Sequence, residues 1–441
     1  MKILFLTTDL YLNVAGGGQE LMRKIIESIP QFTFFYFVEK ESIDYNRPLN
    51  CTVIKFQKLV DVKVVNDNTL NTTNLSALKI ANQFGRSAKN FEFDIVEIPD
   101  YNFFGSYIRS AFKKNNVQFK VLIINLLGNI SSTMKMNWAN TSSSKIHELI
   151  ELEKMQFLST DFAYSLSSRY IKEWQSYTNK IIFNLNPLNL INSSKQLEQI
   201  DKLNYIKPNL LFLGRFEKRK GPDLFIDICS KIDKKLYENI LMYGDDDYSD
   251  NGKSAINHIN NLSKKHNITI QTFKSVTNIE LLQLYKGNNV LILPVRYDTF
   301  NLIALDALFS GCLLFVSNKA GFCDFADEKF PNLKYYDFDI DNFDQLKDKI
   351  EDVLRNYNSY KYELINDLSK IKIPNTLGIE MSNFYLKSIN NDINNYSILN
   401  YYNYKEVSFS FKYMIVNLLS KYGSKKLYEK VLSLRKNILK L

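Results

Sequence analysis

The sequence predicts an α/β protein built from two doubly wound, Rossmann-like domains that face each other across a cleft, followed by a helical C-terminal tail. Three observations carry this expectation. At 441 residues the chain exceeds one typical hydrophobic core. Strand-like and helix-like runs alternate through most of its length, the pattern of parallel sheets covered by helices. The alternation then starts afresh after Pro187, which divides the chain into an N-terminal domain over residues 1–186, a C-terminal domain over 187–375, and a helical crossover and tail over 376–441.

The first series of apolar, β-branched and aromatic runs covers 2–8 (KILFLTT), 32–38, 51–56, 93–98, 119–127, 162–167 and 180–186. The second covers 209–214, 239–244, 268–273, 289–295 and 313–317. Between them, apolar residues recur at helical spacing over 18–29, 77–91, 222–232, 254–266 and 278–287. Residues 338–400 read as helical, with the last helix expected to return to the first domain. Asn and Ser crowd 64–75 and 129–144, which predicts loops over the cleft. A ligand is expected between the domains, at the carboxyl ends of the strands.

Composition narrows the function classes. With 45% hydrophobic and 23% charged residues the chain is that of an ordinary globular protein. Asp9 interrupts the apolar start early, so it reads as a first strand rather than a secretory leader, and no stretch of about eighteen apolar residues suggests a membrane span. The four cysteines are scattered without CxxC spacing, which argues against a zinc site or disulfide framework and for a reducing, cytoplasmic setting. Three mutually distant histidines argue against a His-rich metal centre or a triad. Residues 401–441 hold nine Lys or Arg against two Glu and so carry most of the net charge of +9. Such a segment suits an anionic membrane surface or packing on its own protein or a second subunit. No nucleic-acid recognition motif accompanies it.

Three stretches carry candidate chemistry. In residues 294–321, Asp298 lies in a loop and Asp306 in the first turns of a helix starting at Leu302. The amides of Phe300, Asn301 and Leu302 at that helix start are placed to hold a diphosphate, and the two carboxylates to accept from sugar and ribose hydroxyls. The alternative is an ordinary helix-start charge and a solvated Asp. Gly16, Gly17 and Gly18 precede a helix and let backbone approach a ligand, or form a plain flexible loop. They match neither a dinucleotide fingerprint nor a Walker motif. Finally, Gly214 ends a strand, Arg215 follows, and Lys220 stands beside Gly221. A guanidinium and an ammonium at the edge of a sheet suit a leaving diphosphate, unless Lys218, Arg219 and Lys220 are merely a basic surface turn.

In this order and separation, these residues resemble the retaining nucleotide-sugar glycosyltransferases of family 4, which have the GT-B fold. The pattern GR-x-x-x-x-KG-x-D-x-x-I is met at Gly214, Arg215, Lys220, Gly221, Asp223 and Ile226. The pattern E-x-F-x-L-x-x-L-E-A-x-x-x-G is met at Phe300, Leu302, Leu305, Ala307 and Gly311, with Asp298 and Asp306 in place of its two glutamates. Gly17, Gly18 and Glu20 match GG-x-E, and the likeness extends over about residues 1–390. The resemblance implies a UDP- or GDP-linked sugar as co-substrate, no metal or other cofactor, and a glycan, lipid-linked or protein acceptor in surface polysaccharide or glycoconjugate synthesis. It implies Arg215 and Lys220 on the diphosphate, Asp298 near the sugar, Asp306 near the ribose, and Asn301 adding a bond to phosphate or sugar. Asp100, in the EIPDY turn, is the candidate facing the acceptor, or else a turn-forming Asp after Pro99. The motif that reads LHG in the family is Leu126, Leu127 and Gly128 here, so the usual histidine is replaced. That change and the shortened carboxylates leave a second expectation, a non-catalytic subunit that binds glycan or supports an active partner.

Overall fold

The structure, a computed structural model, describes residues 1–11, 17–39, 47–56, 72–136, 141–178, 180–191, 207–246 and 254–390. Its first sheet is formed by β1 (Lys2–Thr8), β2 (Thr33–Val38), β3 (Cys51–Lys55), β4 (Glu92–Pro99), β5 (Gln118–Leu126), β6 (Phe162–Ser165) and β7 (Ile182–Asn184). The second is formed by β8 (Asn209–Leu213), β9 (Ile240–Tyr243), β10 (Gln271–Phe273), β11 (Asn289–Leu293), β12 (Leu313–Ser317) and β13 (Tyr336–Phe338). Every pairing is parallel, in the orders β3-β2-β1-β4-β5-β6-β7 and β10-β9-β8-β11-β12-β13. Both sheets reverse their winding beside the first strand. That is the switch point where crevices open in doubly wound folds.

Period-two alternation builds the core of the first domain. Ile3, Phe5, Ile95 and Ile123 point to one face, while Leu4, Leu6, Val96, Ile98 and Ile124 point to the other, and the two sets enter separate apolar clusters. The central strands β11 and β12 are buried at every position, as helices on both faces require. The first cluster runs on through Leu185, Leu188 and Leu190 into the second domain, so the two units share one apolar seam.

The chain leaves the first sheet through the turn Pro187–Leu190 and returns along the helix Leu377–Asn390, and these two crossings are bonded to each other. Asn189 Oδ1 accepts from the Thr376 amide and hydroxyl, both at 3.1 Å, and Asn189 Nδ2 donates to Glu380 Oε1 at 3.0 Å. The returning helix then lodges against β4 and β5. There the Tyr385 hydroxyl donates to Glu97 Oε2 at 2.7 Å and the Tyr164 hydroxyl to Oε1 at 2.5 Å. Glu97 is fully buried, and burial raises its pKa to about 7.

Three expectations need correction. Residues 130–136 form a helix rather than a loop, because Glu153 reaches its first turn and accepts from the Ser131 amide at 2.7 Å and hydroxyl at 2.6 Å. Of the loop expected over 64–75, residues 72–75 open the helix Thr72–Ser87, and 64–71 lie outside the described residues. β13 precedes the helical segment and was not expected as a strand; the helices Phe343–Arg355, Tyr357–Ser369 and Leu377–Asn390 follow it. Gly16, residues 391–400 and the basic tail at 401–441 lie outside the described residues. No described helix is long and apolar enough to cross a membrane.

Candidate active site

The second sheet brings the carboxyl ends of its neighbouring strands β8 and β11 to one side of the crevice. β8 ends at Leu213; after Gly214 and Arg215 the turn Lys218–Lys220 leads to Gly221, which has φ +76°. This left-handed residue lets the helix Pro222–Lys231 begin against the Pro294 carbonyl, where a Cβ would collide. β11 ends at Leu293, and residues 297–301 then run beside 318–322, bridged at Asp298 and Ala320. This register is fixed by the Gly321 amide donating to the Asp298 carbonyl at 3.0 Å and the Phe322 amide to the Phe300 carbonyl at 2.7 Å.

Lys220 and Asp298 meet in this frame: Nζ donates to Oδ2 at 2.5 Å, and Asp298 is only 8% exposed. Burial pushes the Asp298 carboxyl up, but the charges of Lys220 and Arg219 and the Phe300 amide outweigh it and hold the group below the usual carboxylate range. Burial lowers the Lys220 pKa, with Asp298 pulling the other way. Around the pair, Arg219 donates to Glu217 Oε1 at 2.6 Å and to the Tyr297 carbonyl at 3.1 Å. Arg296 grips Asp223 with two bonds at 2.8 and 2.6 Å. Four cations thus face three carboxylates. Arg215, with its side chain 60% exposed and Glu217 at 3.1 Å already shared with Arg219, presents the most accessible positive charge of the cluster.

The helix Leu302–Phe309 starts beside this cluster. Asn301 takes a left-handed conformation (φ +77°), and its Oδ1 accepts from the Ala304 amide at 3.1 Å. Its side chain is therefore the cap of the helix, and the bond expected from it to phosphate or sugar falls to Nδ2. The amides of Leu302 and Ile303 have no acceptor within the helix, by the geometry of a helix start. Phe300 is buried against Phe322 and Phe325 and acts as a wedge under the loop. Asp306 lines a cavity of about 110 Å³ between the domains, together with Glu20, Lys24, Asn278 and Tyr285.

From the other domain, Gly17 and Gly18 open the helix Gly17–Ser28 and come against the facing loops. A Cβ on Gly17 would lie 2.9 Å from Leu302 Cδ1, and one on Gly18 would collide with Leu127 Cδ1. Leu127, in the place of the family's histidine, thus fills the space before the glycine loop. Its carbonyl accepts from Thr299 Oγ1 at 2.5 Å. Asp100 is not at the cleft surface, where an acceptor-facing group was expected. It is 1% exposed beneath the turn at residues 127–128, because its Oδ2 accepts from the Gly128 amide at 2.8 Å and the Tyr170 hydroxyl at 3.0 Å. Burial raises its pKa to about 7.

Sequence reasoning missed Arg296, Arg169 and Tyr170. Arg296 carried a signal, a cation three residues past the end of a fully buried strand. Arg169 and Tyr170 carried none. Arg169 opens the helix Ser168–Gln175 in the first domain and crosses to Asp324, with two bonds at 2.6 Å, and to the Asn318 carbonyl at 3.0 Å.

Residues 194–368 match the family described as glycosyl transferases group 1. That stretch is similar to the group 1 glycosyl transferases, and the chain has the GT-B fold. Among relatives, an uncharacterized 41.2 kDa protein in the cps region of Klebsiella pneumoniae is 29% identical over 147 residues, covering 32% of this chain and 37% of that one. The uncharacterized glycosyltransferase MJ1607 of Methanocaldococcus jannaschii is 24% identical over 161 residues, 36% and 39% of the two chains. The chain therefore spans less than two fifths of the length of these curated relatives. Among solved structures, sucrose-phosphate synthase from Thermosynechococcus elongatus superposes with a TM-score of 0.61 at 15% identity, over 88% of this chain and 98% of that one. Anabaena Alr3699/HepE in complex with UDP and glucose gives 0.59 at 11% identity, over 88% and 100%. These likenesses establish the glycosyltransferase fold.

Proposed function

We propose that this protein transfers a sugar from a UDP- or GDP-linked donor to a glycan, lipid-linked or protein acceptor, with retention at the anomeric carbon and without a metal. The acceptor would belong to surface polysaccharide or glycoconjugate synthesis. The observation that carries the reading is the cationic cluster of Arg215, Arg219, Lys220 and Arg296 beside Asp298 at the start of the helix Leu302–Phe309. When the bond between the sugar and the diphosphate breaks, negative charge grows on the leaving phosphate. The Arg215 fork, the Lys220 ammonium and the helix-start amides are fixed in advance where they stabilise it, the role a metal plays elsewhere. Asp298, ionised because Lys220 and Arg219 hold its pKa down, accepts from sugar hydroxyls, and Asp306 faces the cavity where a ribose would sit.

Purified protein incubated with UDP-, GDP- and dTDP-sugars is expected to release the nucleoside diphosphate and to be thermally stabilised by one of these nucleotides. No turnover and no stabilisation with any of them sinks the reading. Leu127 in the histidine position favours a second one, a nucleotide-binding subunit without turnover, for which stabilisation persists and release is absent.

A further inference from the structure

Resting on the transfer reading above, we propose that Asp100 and Tyr170 are positioning residues: they hold the turn at residues 127–128, and through it the Asp298 loop, in place for sugar transfer. The turn follows β5 directly, and its carbonyl at Leu127 accepts from Thr299 Oγ1, the residue after Asp298. The turn also comes up against Thr299 at Gly128, where a Cβ would lie 3.6 Å from both Cγ2 and Oγ1. Neither Leu127 nor Gly128 has a side chain that can fix this contact by a hydrogen bond, so the turn must be held from behind. Asp100 does this, through the Gly128 amide.

Asp100 is itself locked. Its amide donates to the Asn125 carbonyl at 3.1 Å, its carbonyl accepts from Gln156 Nε2 at 2.7 Å, and its carboxyl accepts from Tyr170. Tyr170 lies in the first turn of the helix Ser168–Gln175, whose N-cap Ser167 accepts from the Tyr170 amide at 3.2 Å. The neighbouring residue on that helix is Arg169, which grips Asp324 across the cleft. The same helix start therefore supports the turn from below and fixes the opposing domain. The Asp100 carboxyl is 1% exposed, and the Gly128 amide and the Tyr170 hydroxyl both bond its Oδ2.

The experiment compares Asp100→Ala, Asp100→Asn and Tyr170→Phe in the full chain by amide hydrogen exchange and by turnover of the sugar nucleotide that the wild type uses. Asp100→Ala is expected to speed exchange at residues 126–129 at least ~10-fold and to lower kcat by about 10- to 100-fold, with donor KM and UDP- or GDP-induced stabilisation little changed. Asp100→Asn keeps an acceptor oxygen for the Gly128 amide and is expected to restore both readouts to within about 3-fold. Tyr170→Phe removes one donor without opening a void and is expected to fall between the two. Unchanged exchange in Asp100→Ala overturns the proposal. So does an Asn variant as slow as Ala with exchange preserved, since the carboxylate would then act on a reactant. A wild type that turns over no sugar nucleotide sinks the transfer reading along with it, an outcome told apart from failure of positioning alone, in which wild type and Ala turn over equally well.

Discussion

A donor diphosphate entering the crevice competes with Asp298 for the Lys220 ammonium, whereas Arg215 extends a largely exposed fork whose buried partner Glu217 keeps Arg219 when the fork is taken. The two cations should therefore fail differently. Arg215→Ala is expected to abolish UDP- or GDP-induced stabilisation and lower turnover about 100-fold while leaving Tm without nucleotide unchanged. Lys220→Ala strands a buried carboxylate and should itself cost about 3 kcal/mol or more of stability. Equal Tm values for the two variants would contradict this division of labour. The glycines separate in the same way. Gly221→Ala forces an L-residue into φ +76° against a backbone carbonyl and should cost about 3 kcal/mol or more in denaturant unfolding. Gly18→Ala meets only the tip of Leu127 and should fold near normally, its functional defect relieved by adding Leu127→Ala. Arg215, Lys220 and Asp298 could be placed from the sequence because each lies near a strand or helix end that periodicity locates, and Asp306 because it falls inside the helix Leu302–Phe309. Asp100 was legible as a polar residue in a turn, but its burial was not, since Tyr170 comes from 70 residues away.

At the level of elements, the helix Leu377–Asn390 is tied into the first domain by a buried acid. Glu97 has a folded pKa near 7 against 4.5 when free, so the native state keeps a proton that the unfolded chain releases between those values. Stability from this group is fully present below pH 4.5 and lost as pH rises through 7, at most about 3 kcal/mol. Asp100, shifted up in the same window, adds a slope of the same sign. Denaturant midpoints at pH 5 and pH 8 should therefore differ in the wild type, and Glu97→Gln should remove roughly half of that difference; an unaltered slope would refute the assignment. β5 and β11 were readable because strands covered on both faces become unbroken apolar runs. The helix Ile130–Met136 was not, because ISSTMKM has little propensity of its own and is stabilised by Glu153, 22 residues further on. β13 is three residues long and only its last is buried, too short for a period to register.

On the scale of the whole molecule, the domains meet through polar contacts at one rim: Arg169 on Asp324 and Asn318, Thr299 on Leu127, and Tyr297 within 3.4 Å of Glu173. None of these was visible in the sequence, since they join residues more than 120 positions apart that only the finished fold makes neighbours. Arg169→Ala should loosen this rim. Small-angle scattering is expected to show a larger radius of gyration than the wild type, restored toward the wild-type value by saturating UDP or GDP. Identical scattering of the two proteins without nucleotide would show that the rim holds nothing.

The knot of Asn189, Thr376 and Glu380 fastens the outward and homeward strands of the polypeptide to one another. Two bodies joined by a single flexible tether can swivel in any direction, but two bodies joined through a riveted pair of tethers are left with essentially one rotation, about the rivet. Opening and shutting then become a motion along one coordinate. A single pair of fluorophores spanning the far rim would follow the entire cycle.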